Sequence, residues 1–178
     1  AAEVAMLLAK EAAYRAELRA VETSPASVFD LAFRNGYARD IAEHHFDAAL
    51  RAAPASFMHQ LEKGALETHL MRAVQQDGRR IRYLSDKNRA HNVPLVCAAI
   101  KADPTAYRFI RMREGRERKR KRDVPGFIKN NPEVIRATLS HGIDGIHEIL
   151  DGMREDKRVK TTSVAEVLSD LLALDQGA

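Results

Sequence analysis

Apolar residues recur along this chain at the three-to-four-residue interval of an α-helix. No window of six or more residues alternates apolar with polar as a half-buried strand would. Near the C-terminal end Val164, Val167, Leu168, Leu171 and Leu172 follow i, i+3, i+4, i+7 and i+8, the stripe of a helix that packs on a core. Ser163 with Glu166 three residues on reads as the capping box that starts it. At the other end Val4, Leu7, Leu8, Tyr14, Leu18 and Val21 share one side of a long first helix, with Glu11 interrupting that face. Ser24-Pro25, Asp103-Pro104 and Asn131-Pro132 each put a side-chain acceptor at an N-cap and a proline at N1, where its missing N–H costs nothing. Turn pairs at Asn35-Gly36, Asp77-Gly78 and His141-Gly142 keep the helices short. The pattern predicts one all-α domain over residues 1–178, built from about eight short helices.

The chain also echoes itself. AVQQDGRRIRYL (73–84) aligns without a gap on AIKADPTAYRFI (99–110), pairing Ala73 with Ala99, Asp77 with Asp103, Arg82 with Arg108 and Tyr83 with Phe109. A longer shift carries Leu95, Val96, Ala98, Ile100, Tyr107 and Ile110 onto Val134, Ile135, Ala137, Leu139, Ile146 and Ile149. SVFDLAFRNGYARDI (27–41) shares the first half of the pattern. Repetition of a helix, a turn and a second helix predicts a repeat array, in which each unit buries its apolar face against its neighbours. Residues 27–110 and 131–159 form the expected repeat region, and the first helix and the 163–174 helix are expected to cap its ends. The surplus between the second and third copies falls at 111–130, an insertion of the kind that emerges on one face of such an array.

The segments AVQQDG, RYLSDKNR and LVCAAIKADP, within residues 70–110, resemble a helical-repeat family of uncharacterised function known from bacterial and protist proteins. That family's pattern is an Ala-Val/Ile helix, a polar Asp/Gly-type turn, an aromatic-bearing second helix and a polar link to the next valine-rich helix. Residues 131–159 match it more weakly, and the chain departs from it at the basic insertion and at Pro94 near the start of a helix. The resemblance implies a stacked array acting as an interaction module, in some cases within proteins that bacteria deliver to hosts. It supplies no catalytic residues.

Charge sharpens this picture at one place. The chain holds 29 Lys+Arg against 25 Asp+Glu, a formal net charge of +4. REGRERKRKRD (113–123) has the same excess by itself, so the rest is balanced. The basic residues Arg113, Arg116, Arg118, Lys119, Arg120, Lys121 and Arg122 are therefore the candidate binding residues. They suit nucleic-acid phosphates, contacted without sequence preference and with steep salt dependence. KRKR (119–122) equally suits a nuclear-import factor. A solvated helix is the third reading, with Glu114 and Arg118, and Glu117 and Lys121, at i, i+4. No aromatic residue interleaves the run, so stacking on single-stranded bases has no support from within it.

Catalytic chemistry finds little foothold. The histidines of EHHFD (43–47) point about 100° apart on a helix and lack a third ligand at a metal-site spacing. His141, Asp144 and His147 are spaced by three, but Gly142 and Gly145 disfavour an unbroken helix. Cys97, the sole cysteine, cannot form an internal disulfide and sits where a buried, inert thiol is expected. His59 and His69 read as helix-surface side chains. Phosphate-binding glycine loops, G-x-S-x-G and H-E-x-x-H are absent from the sequence. No cofactor and no metal is expected. The longest apolar run, VPLVCAAI (93–100), is far short of the roughly 20 residues of a membrane helix. The sequence points to a soluble, by default cytoplasmic, non-enzymatic module that binds a protein partner, with nucleic acid as the rival ligand and delivery to a host cell or its nucleus as a variant.

Overall fold

The computed structural model describes residues 2–34, 41–110 and 128–176. Among these every regular element is helical and no strand occurs. The chain divides into two compact units, 1–67 and 68–178.

The first unit contains α1 (Ala2–Thr23), α2 (Ser27–Arg34), α3 (Glu43–Ala52) and α4 (Pro54–Lys63). Ser24 and Pro25 form the turn before α2 rather than its first residues, because the Ser27 N–H donates to the Ser24 carbonyl in a tight turn. Pro54 cannot continue α3 and opens α4 directly after a single non-helical residue, Ala53. The two helices then meet through Phe46 and Phe57, edge-on at 5.5 Å, with Phe29 of α2 at 5.7 Å from Phe57. Leu50, Met58 and Leu61 complete this core. Across α3 lies α1, which is over twice as long, about 33 Å against about 15 Å. Only its second half docks. Val21 is buried and Leu18 half-buried, whereas Val4, Leu7 and Leu8 remain exposed, so the face expected to pack along its whole length does so only where α3 reaches.

The second unit runs through α5 (Glu67–Gln76), a 3-10 helix (Gly78–Tyr83), α6 (Asp86–His91), α7 (Val93–Ala102), a second 3-10 helix (Pro104–Phe109), a short 3-10 turn (Ile128–Asn130), α8 (Pro132–Leu139), α9 (Ile143–Glu155) and α10 (Thr161–Gln176). Its centre is α7, which packs against both long 3-10 helices and against α8. Leu95, Val96, Ala99 and Ile100 of α7 are buried with Ile81, Tyr107, Ile110, Val134 and Ile135. Each valine, leucine and isoleucine among them contributes about 1.5–3 kcal/mol by leaving water. The 3-10 helices pack on each other, and the second packs on α9.

Local chemistry sets the corners. Asp77 and Asp103 occupy equivalent extended N-cap positions, and their carboxylates accept from the N–H groups of Arg79 and Thr105 at 3.1 and 2.9 Å. The Arg79 Nε lies 3.4 Å from Asp77 and 3.3 Å from Asp103, joining the two caps. Asn131 caps α8 by accepting from the Glu133 N–H at 2.8 Å, as the Asn-Pro pair predicts. Asn92 does the same for α7, accepting from the Leu95 N–H at 3.2 Å, and Pro94 is tolerated in the first turn because an N–H there has no intrahelical acceptor to lose. Ser163 is not an N-cap, because α10 begins two residues earlier at Thr161. The chain is fixed there by Asn130, whose amide donates to the Arg158 carbonyl and accepts from the Lys160 N–H, both at 2.8 Å. Asn35-Gly36 lies outside the described residues.

Candidate interaction surface

The basic residues Arg113, Arg116, Arg118, Lys119, Arg120, Lys121 and Arg122 lie outside the described residues. The flanks of that segment are firmly seated. On one side Ile110 is fully buried, and on the other Ile128 and Lys129 are buried. The Lys129 Nζ sits 4.4 Å from the centroid of the Tyr107 ring, a cation–π contact out of water. Gly152 of α9 takes the close approach of that ring, where a Cβ would come within 2.7 Å of it. Asp156 stands by the same cluster. Its fork to Arg158, with contributions from Lys129, holds its carboxyl below the usual range.

Among the described residues the buried Tyr107 hydroxyl finds no hydrogen-bond partner. Deleting it in Tyr107→Phe is expected to change stability at pH 7 by less than about 1 kcal/mol, since no bond is lost. Burial, and then the Asp156 carboxylate, push the Tyr107 phenol above its ordinary range. The folded form therefore keeps its proton where the unfolded chain releases it, and stability falls as pH rises above about 10. Urea titrations at neutral and alkaline pH check this, with a shallower alkaline decline expected in Tyr107→Phe.

The other polar candidates resolve into structural roles. The Arg108 guanidinium forks onto Glu148 of α9 at 2.7 and 2.6 Å, which holds Arg108 charged and supplies the partner of a buried carboxylate. His141 places Nε2 2.7 Å from the Ile100 carbonyl oxygen near the end of α7. Buried His45 has Nε2 3.6 Å from a Glu17 carboxylate oxygen, with the Tyr14 ring 5.7 Å away. His69 is buried rather than on the surface, and His59 is exposed. Cys97 is half-buried, not buried, because α7 turns Leu95, Val96, Ala99 and Ile100 to the core and leaves position 97 to one side. Burial, followed by the Glu133 carboxylate, still pushes its thiol upward, away from a reactive thiolate. Among the described residues no three His, Cys, Asp or Glu side chains are grouped to hold a metal ion, and no helix is long and apolar enough to cross a membrane.

What stands out is apolar surface in water. On α9, Gly145, Glu148, Ile149 and Gly152 face inward, and the opposite side presents Ile143, Ile146 and Leu150, which are 71, 45 and 45 % exposed. These three are spaced i, i+3, i+7, a helical stripe that stays substantially exposed among the described residues. On α10, Val164 and Val167 are buried, but Leu168, Leu171 and Leu172 are 41, 39 and 63 % exposed. Only two of the five residues of the expected core stripe are thus buried. α8, against which α10 packs, has 8 residues to the 16 of α10, about 12 Å against about 24 Å, so the stripe outruns its support. The sequence reading missed the α9 stripe because Ile149, buried among the three, makes the helix look apolar on one face only. Gly145 and Gly152, two positions of close approach about two turns apart on the opposite side, were the available signal.

The fold class is all-helical. Comparison with family models, curated proteins and solved structures finds no match.

Proposed function

We propose that this chain is a non-catalytic helical-repeat module that binds a protein partner. The observation that carries this is the stripe Ile143, Ile146 and Leu150, held in water on the side of α9 opposite its packed face. Contiguous exposed apolar side chains on a folded domain mark interaction sites. Repetition is supported by the matched pair of Asp-capped 3-10 helices, equal in length, following α5 and α7 and stacked on each other. In the same scheme α9 takes the next place in the row of second elements, and α8 and α10 follow α7 in the row of first helices. The likeness to bacterial and protist repeat proteins extends the proposal to a module within a protein delivered to a host.

Nucleic-acid binding through residues 113–122 is the second reading, favoured by the seven basic residues concentrated there. Fluorescence anisotropy with labelled duplex and single-stranded DNA and RNA separates the two. It compares the chain with a variant in which Arg116, Arg118, Lys119, Arg120, Lys121 and Arg122 are changed to glutamine, at about 50 and 200 mM salt. The protein-partner reading predicts no binding of about micromolar strength at the higher salt. Tight, steeply salt-dependent binding that the glutamine variant loses would replace it with the nucleic-acid reading.

A further inference from the structure

The two long 3-10 helices and α6 carry five arginines, and four of them already have polar partners that hold them. Arg79 lies between the Asp77 and Asp103 carboxylates, Arg89 bonds Asp86 at 2.7 Å, and Arg108 forks onto Glu148. Arg80 donates to the Gln76 side chain and the Ala73 carbonyl. Arg82 is the exception. It is exposed, its Cζ lies over the Tyr83 ring at 4.7 Å and over the Phe109 ring at 5.9 Å, and it donates to the Tyr83 hydroxyl at 2.6 Å. Among the described residues no carboxylate stands within ion-pair distance of it.

The next step of the same row indicates what such an arginine takes. Arg82 aligns with Arg108, and in the register that sets Tyr107 on Ile146, Phe109 beside Arg82 aligns with Glu148 beside Arg108. The packing follows the same order, with the first 3-10 helix on the second and the second on α9. Where one step supplies a carboxylate, the other supplies an aromatic ring. A ring attracts a guanidinium without neutralising it. We infer that Arg82 is a docking point for a protein partner and takes a glutamate or aspartate carboxylate of that partner in the fork that Arg108 gives Glu148. Its guanidinium has five N–H donors in a fixed fork, and the bond to Tyr83 uses one. Held on two half-buried rings, the side chain has less freedom to lose on binding than an unsupported one. The surroundings favour an anion. Residues 77–110 carry seven basic side chains against three acidic, and Glu148, brought in by the fold, still leaves cations in excess. A phosphate backbone fits less well than a single carboxylate, because it needs several cations in a row and Arg79 and Arg89 are held by Asp77, Asp103 and Asp86.

The inference rests on the protein-binding reading and the repeat alignment above, and it is tested with the full chain. The probe is a fluorescein-labelled, alanine-rich peptide of about 12 residues with glutamates four apart, beside an otherwise identical glutamine peptide and a labelled single-stranded oligonucleotide. Anisotropy at about 50 mM salt is expected to give a Kd below about 1 mM for the glutamate peptide and at least about tenfold weaker binding for the glutamine peptide. The Arg82 Nε–H resonance should shift with the same saturation in NMR titrations. Arg82→Lys keeps the charge but not the fork and should weaken binding about fivefold, and Arg82→Gln should abolish it. Arg19→Gln, at an exposed arginine of α1, should change nothing. An unmoved Arg82 resonance at about 5 mM peptide, equal binding of the glutamine peptide, or indifference to Arg82→Gln overturns the inference. So does tighter, Arg82-dependent binding of the oligonucleotide, because the ligand is then a phosphate backbone. Failure of the glutamate peptide leaves the protein-binding reading to its own measurement, the loss of captured proteins when Ile146 and Leu171 are changed to glutamine.

Discussion

Replacing Gly145 with alanine is expected to destabilise the 68–178 unit by about 3 kcal/mol or more, although propensity alone predicts the opposite. Alanine in place of glycine inside a helix contributes roughly 1 kcal/mol of stability. At Gly145 the added Cβ would overlap the Thr138 carbonyl oxygen and stand 2.7 Å from its carbonyl carbon. The obstacle is backbone of α8, so relief requires α8 and α9 to separate. Overpacking of this kind costs about 1–3 kcal/mol even where side chains can adjust, and here they cannot. Gly78→Ala meets the same obstacle at the Ala99 carbonyl and should behave alike. Gly142→Ala is the useful contrast. Nothing lies within 4 Å of its Cβ, but its φ of +62° with ψ of −129° is a backbone conformation that side-chain-bearing residues rarely adopt, at a cost of about 1–3 kcal/mol. Thermal melts should therefore fall by roughly 10 °C or more for Gly145→Ala and Gly78→Ala, and by clearly less for Gly142→Ala. Equal melting temperatures for all three would contradict the close helix contacts on which the second unit depends.

Arg108→Ala is expected to cost about 2–3 kcal/mol, and Glu148→Gln less than about 1 kcal/mol, although they break the same ion pair. The asymmetry follows from burial. Glu148 is 4 % exposed, whereas the Arg108 side chain is 55 % exposed. Without Arg108 the carboxylate stays in the interior with its charge uncompensated. Without the charge of Glu148, the guanidinium turns to water and glutamine keeps the shape of the buried side chain. Chemical denaturation of both single variants and the double variant measures the coupling, and an equal or reversed order would mean that Glu148 is hydrated in solution.

Helical class and corner chemistry were legible in the sequence because both are local. Asp77, Asp103 and Asn131 act on N–H groups two residues away, so residue type and one neighbouring Gly or Pro suffice to place them. Burial decided by distant partners was not legible. Glu148 reads as a surface residue of α9 until Arg108, forty residues earlier, comes beside it. His69, read as a helix-surface side chain, is likewise buried. The terminal helices illustrate a third case, because their stripes announce packing but the length of the neighbour decides how far it goes. α1 outruns α3 and α10 outruns α8, and neither mismatch can be seen without the pairing. Ile143, Ile146 and Leu150 became candidate contact residues only when the opposite side of α9 was found against α8 and the second 3-10 helix.

On this proposal the apolar stripes, and not the basic run, select the ligand. The direct measurement is quantitative capture from nuclease-treated bacterial and eukaryotic cell lysates at about 150 mM and 400 mM salt. It compares the wild-type chain, the Ile146→Gln, Leu171→Gln variant and the variant with residues 116, 118 and 119–122 changed to glutamine. The prediction is a defined set of proteins retained by the wild type at both salts, kept by the basic-run variant and lost by the stripe variant. Retention that survives loss of the stripe but disappears with the basic run would contradict it.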